Sequence, residues 1–163
     1  MLAFLPTQNP LIAANELDLE AKGVVYQAAK AAYLPVKQQD EANLATTQAA
    51  LAAENAAQMD YGMKTMATMM AMMMYNSAVS MGNAQMIASA LTAYNAAVAA
   101  EAASLAAYNT AVAAHTAAAN AQLAYHNNTF SPIWNAWRLA KIDQLAALNV
   151  LTARMGRMYA GMP

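Results

Sequence analysis

The chain has 163 residues, is 60% hydrophobic and only 10% charged, and carries a formal net charge of −1. So few charges fall well short of the roughly one quarter found in ordinary soluble domains, and a balance so close to zero excludes a general electrostatic attraction to nucleic acid. With no cysteine, disulfide frameworks, thiol nucleophiles and thiolate metal sites are excluded as well.

The apolar excess is mostly alanine and methionine, with only two Phe and two Trp, so bulky core formers are scarce and a lone compact globule is not expected. The charges are segregated. Glu16, Asp18, Glu20, Asp40, Glu41, Glu54 and Asp60 outnumber the lysines of the first 64 residues, whereas Arg138, Lys141, Arg154 and Arg157 face only Asp143 after Pro132. Glu101 is the sole formal charge between Lys64 and Arg138. An acidic front, a neutral middle and a basic tail suit head-to-tail or staggered packing of identical subunits.

The opening MLAFLPTQNPLIAANELDLE lacks a basic n-region and a sustained apolar core, so no secretory signal is expected. No uninterrupted apolar run reaches the roughly 18–20 residues of a membrane-spanning helix. Asn9-Pro10 reads as an N-cap followed by proline at the first helical position, with Glu16, Asp18 and Glu20 early in the helix. This acidic first segment, 1–35, is expected to end before Pro35, because proline pushes its predecessor out of the α region.

The second segment, 36–82, begins with the Ala/Gln/Glu-rich run KQQDEANLATTQAALAAENAAQMD, where Leu44 and Leu51 lie one heptad apart. Gly62 either interrupts this helix or weakens it. Methionines then dominate up to Gly82-Asn83, a predicted stop and restart. Met59, Met63, Met66, Met70 and Met73 step by three and four residues along one helical stripe, while Met69, Met72 and Met74 spread the apolar surface to other faces. A helix apolar around most of its circumference is buried on several sides or lies against lipid. Methionine, unbranched and adaptable, suits a surface that repacks between two environments. Three readings stay open for the stripe: core or subunit-interface packing, a membrane-contacting or channel-lining surface, and thioether ligation of copper. The last is disfavoured because no cysteine or nearby histidine accompanies the cluster.

The third segment, 83–128, has neither glycine nor proline from Ala84 to Asn127 and predicts one long helix. It carries an internal repeat: Leu91, Tyr94 and Val98 recur two heptads later as Leu105, Tyr108 and Val112. These six residues are the predicted helix–helix seam, with coiled-coil spacing. Glu101 and His115 fall at the tyrosine position and interrupt it with polar groups. Alanine between them lets helices approach closely, as small residues do in membrane bundles.

The fourth segment, 129–163, opens at Pro132 behind Ser131 as a candidate cap. It is a basic amphipathic helix that frays at Gly156 and Gly161. Leu145, Leu148, Leu151, Met155, Met158 and Met162 recur at three and four, with Trp134 and Trp137 near the start. Such a helix either lies in a membrane interface or docks on an acidic neighbouring subunit, and docking is the favoured reading. Strand alternation and hairpin signals are missing, so the expected fold is all-α: long Ala-rich helices with coiled-coil-like packing, one structural unit, extended and assembled as a homo-oligomeric ring or tube.

Nothing in the sequence points to an enzyme or a cofactor. His115 and His126 sit three helical turns apart, too far to share a metal, and no phosphate loop, nucleophile elbow or HExxH occurs. Nucleic-acid recognition is equally unsupported.

The Ala-, Gln-, Asn- and Met-rich helical composition, the missing cysteine and the heptad run AYNAAVAAEAASLAAYNTAVAAH resemble the small internal virion, or ejection, proteins of short-tailed bacteriophages. The likeness is one of style over most of the chain and carries no functional residue across. It implies a protein packaged in the virion, expelled ahead of the genome, and assembled with copies of itself and other virion proteins into a channel in the host cell envelope. DNA passes through such a channel without sequence-specific binding. Membrane lipid or a companion protein would then meet Met59, Met63, Met66, Met69, Met70, Met72, Met73, Met74, Trp134 and Trp137. The alternatives are a static virion protein (core, portal-associated or minor capsid subunit) and a soluble coiled-coil scaffold.

Overall fold

The computed structural model describes residues 10–160, and within them the protein is all-α with no strand. Helix α1 spans Pro10–Met81 (72 residues), α2 spans Ala84–Tyr125, a π-helical turn covers His126–Phe130, and α3 spans Ser131–Tyr159. Alanine has the highest helix propensity of any residue, which is why helices of this length persist with so few bulky side chains to hold them.

The predicted end before Pro35 does not occur: α1 runs through it. Proline removes one intrahelical hydrogen bond and crowds the preceding turn, and the seam contacts of Tyr33 and Val36 hold the helix on both sides of it. Tyr33 stacks on Trp137 at 4.8 Å, and the Tyr125 hydroxyl donates to the Val36 carbonyl at 3.3 Å. Gly62 leaves the helix intact. The break at Gly82-Asn83 is real. Gly82 has φ +70° and donates to the Val79 carbonyl at 3.1 Å, while the Asn83 side-chain oxygen accepts from the Gln85 and Met86 amides at 3.1 and 3.2 Å, capping α2.

Ser131 is not an N-cap. The chain enters α3 already helical at Phe130, with no side-chain cap, and the Ser131 amide donates to the His126 carbonyl across the π turn. The additional residue in that turn accommodates Pro132, which has no amide to donate. Gly156 lies inside α3, which ends at Tyr159. The expected cap at Asn9 and the positions Gly161 and Met162 lie outside the described residues.

The chain divides into two compact units, one containing residues 10–41 and 123–160 of the described chain, the other residues 42–122. In the first, Ile12, Ala140, Ala147 and Leu151 form the buried core. Phe130, Ile133, Trp137, Ala140, Gln144 and Ala147 step by three and four residues along the covered face of the chain entering and forming α3. The small residues permit close approach: a Cβ on Gly23 would lie 3.5 Å from Gln144 Nε2. An aromatic group of Tyr33, His126, Phe130 and Trp137 closes the region nearest the π turn.

In the second unit the covered residues of α1 also alternate by three and four. Glu54, Tyr61, Thr68 and Tyr75 occupy one heptad position; Ala50, Ala57, Lys64, Ala71 and Ala78 occupy the other. Helix α2 mirrors this, with Tyr94, Glu101, Tyr108 and His115 at one position and Ala90, Ala97, Ser104 and Ala111 at the other. The helices are antiparallel. Tyr75 stacks on Tyr94 and Tyr61 on Tyr108, both at 6.4 Å, and Glu54 meets His115. Each step back along α1 is thus matched by an equal step forward along α2.

Candidate assembly and membrane-contact surfaces

The seam of the second unit is polar at most of its large positions, and its Glu and His side chains are paired across it. His115 Nδ1 lies 2.6 Å from Glu54 Oε2, both side chains being largely covered. The Thr65 hydroxyl donates to Glu101 Oε1 at 2.9 Å, and the Ser104 hydroxyl, buried at 6% exposure, donates to Asp60. These bonds fix how the helices face each other. Thr65 flanks the seam on the side of Glu101, whereas Asp60 flanks it on the side of Ser104. A groove of about 340 Å³ lined by Met74, Met81, Met86 and Ala93 lies on the Asp60 side, next to the Gly82 turn.

The sequence places Tyr94 and Tyr108 in the seam, and there they lie. Leu91, Val98 and Leu105, expected to lead it, stand beside it and are about 40% exposed; Val112 on the same line is half-buried. The inward position next to the tyrosines belongs to alanine and Ser104. An alanine seam was hard to read because alanine is abundant on every face of α2. The acid and histidine partners carried a fainter signal: Glu54 is one heptad before Tyr61 and His115 one heptad after Tyr108.

The methionines lie outside the seam. Met59, Met66 and Met73 occupy the heptad position diametrically opposite it, Met63, Met69 and Met70 fill the positions beside them, and Met72 and Met74 flank the seam. All eight are exposed, from 49% at Met72 to 70% at Met59. The back of α1, where a soluble hairpin would carry charge, is a continuous thioether surface. Among the described residues no helix is long and apolar enough to cross a membrane.

In the first unit the two tryptophans are not presented as a free pair. Trp137 is stacked on Tyr33, its indole nitrogen is buried without a hydrogen-bond partner, and the Lys141 ammonium lies 5.4 Å from its ring. Trp134 is half-covered, with the Arg138 guanidinium over its ring at 5.0 Å. The stripe of α3 is divided: Leu151 is buried, Met155 is half-buried, and Leu145, Leu148 and Met158 are exposed. The acidic front and basic tail share this unit. Arg154 donates to the Leu11 carbonyl at 3.5 Å, and Asp40 holds His126 Nδ1 at 3.2 Å. A groove of about 540 Å³ is lined by Glu16, Leu19, Glu20, Leu151, Thr152 and Met155.

Among the described residues no three His, Cys, Asp or Glu side chains converge as a metal site requires. Both histidines are engaged by single carboxylates. Comparison with family models, with curated proteins and with solved structures found no match.

Proposed function

We propose that this protein is a non-enzymatic helical assembly subunit of a short-tailed phage virion, one that joins copies of itself and forms the wall of an envelope channel through which the genome passes. The observation that carries the reading is the methionine back of α1. Six exposed methionines, Met59, Met63, Met66, Met69, Met70 and Met73, lie on this back, away from the seam. An apolar surface of this size on a soluble chain marks a contact site for protein or lipid, and methionine is the side chain that best fits several partners in turn.

The antiparallel, heptad-spaced seam supports coiled-coil-like packing inside each subunit. Neutral outer faces of Ala, Asn and Thr on α2 leave DNA ungripped, as a conduit requires. No single described helix spans a bilayer, so insertion in this reading is a property of the assembled ring rather than of one chain.

The static virion subunit is the second reading, favoured by the same surface if protein covers it permanently. Liposome flotation with dye release on the purified full chain separates the two. Co-flotation with release, and rings visible in detergent, are expected for the channel. Protein that stays in the soluble fraction and leaves dye trapped would overturn it in favour of the static role.

A further inference from the structure

We infer that one flank of the second unit is the face by which two copies of this chain pair, forming a four-helix bundle from two hairpins. The face is the line of Leu91, Val98 and Leu105 on α2 together with Leu51, Met72 and Val79 on α1, where Gln58 and Thr65 fall between Leu51 and Met72. In an antiparallel pair the positions that follow the small Ala/Ser seam residues of both helices lie on the same side, and the Thr65–Glu101 bond identifies which side this is. The six side chains are 38–49% exposed. They are less open than the methionine back because the seam already covers one edge of each.

Three features select a second copy as the occupant. No charged residue occurs on this line from Leu44 to Val79 or from Leu91 to Ala119, whereas the opposite flank carries Asp60. The line is bordered by uncharged amides near its ends, Asn55 and Asn76 on α1 and Asn95 and Asn109 on α2, with Gly62 and Met69 between the two on α1. Apolar side chains interspersed with uncharged polar ones and edged by amides have the mixed composition of a protein interface, which a lipid-facing surface would not keep. The extent also suffices. From Leu51 to Val79 the face runs about 42 Å at the helical rise and spans about 15 Å across two helix axes, or roughly 1,200 Å² over both copies, inside the range of specific interfaces. An identical copy brings the same uncharged ladder and the same rim amides, and the nearest carboxylate, Glu101, is already bonded to the Thr65 hydroxyl.

This inference rests on the reading of the chain as a self-assembling subunit, but not on its meeting a membrane. The test uses the natural absence of cysteine. Val98→Cys and Leu105→Cys, oxidised mildly in the full chain, are expected to give disulfide-linked dimers. Ala99→Cys and Ala106→Cys, on the back of α2, are expected to stay monomeric under the same treatment. Light scattering on the triple variant Leu91→Asn, Val98→Asn, Leu105→Asn is expected to show at least a tenfold weaker self-association with helical circular dichroism retained, while Ala99→Gln, Ala106→Gln on the back of α2 leaves association unchanged. Cross-linking at the back as efficient as at the ladder, or an unchanged mass in the folded triple variant, would overturn the proposal. If that variant unfolds, the cysteine pattern alone decides.

Discussion

At the scale of single residues, the seam of the second unit combines stacked tyrosines with buried polar pairs, and these pairs are unequal in what their loss leaves behind. Ser104 is 6% exposed and its hydroxyl donates to Asp60. Asp60→Ala therefore strands a buried donor, and a loss of about 1–3 kcal/mol in urea unfolding is expected. Glu101→Ala is milder. The Thr65 hydroxyl retains the Tyr61 carbonyl at 3.1 Å as an alternative acceptor, so a cost below about 1 kcal/mol is expected from a net hydrogen-bond value. Equal costs for the two variants would show that burial of Ser104 does not govern the difference. The His115–Glu54 contact calls for a double-mutant cycle with alanine at each position, where a coupling of about 1 kcal/mol is expected for a largely covered, hydrogen-bonded pair; additivity would mean that the contact contributes nothing to stability.

At the scale of elements, glycine and proline carry opposite meanings at different places in the same helix. Gly62 sits in α1 with nothing within 4 Å of an added Cβ, so Gly62→Ala removes the entropy penalty of a mid-helix glycine and is expected to stabilise by about 0.5–1 kcal/mol. Gly82 has φ +70°, and Gly82→Ala forces a Cβ into the left-handed region, with a loss of about 1 kcal/mol expected. Paired thermal melts check both signs; two shifts in the same direction would contradict the assigned helix and turn. The Gly82-Asn83 turn was legible in the sequence because glycine and a capping asparagine act locally. Continuation through Pro35 was not, since it depends on Tyr33 meeting Trp137 more than a hundred residues later. The π turn was illegible for a related reason: HNNTF contains nothing that distinguishes a π turn from an ordinary helical one, and the additional residue serves Pro132 and the packing of Phe130.

At the scale of the whole molecule, helical content follows from composition and the acidic front, neutral middle and basic tail from the order of residues, but which face of each helix turns inward follows from neither. Leu91, Val98 and Leu105 read as seam residues because they recur at heptad spacing; Tyr94 and Tyr108 lie in the seam with alanine, and the aliphatic line is left on the flank. The reason is steric. Alanine and serine admit a close helix approach that Leu and Val would obstruct, and the tyrosines stack across the space that remains. Such a seam buries little apolar area, since alanine contributes only one methyl per residue at about 25 cal/mol per Å², so much of the chain's apolar surface remains available for partners. The methionine back is the largest such surface, and its role can be separated from folding because Gln matches Met in length and in helix propensity. Substituting Met66, Met69, Met70 and Met73 together by Gln is expected to abolish co-flotation with liposomes while leaving far-ultraviolet circular dichroism within a few per cent of the parent. Retained flotation would remove the methionine surface from the membrane contact. A loss of helicity would instead show that these side chains, exposed as they are, hold α1 together through contacts with other copies in the assembled state.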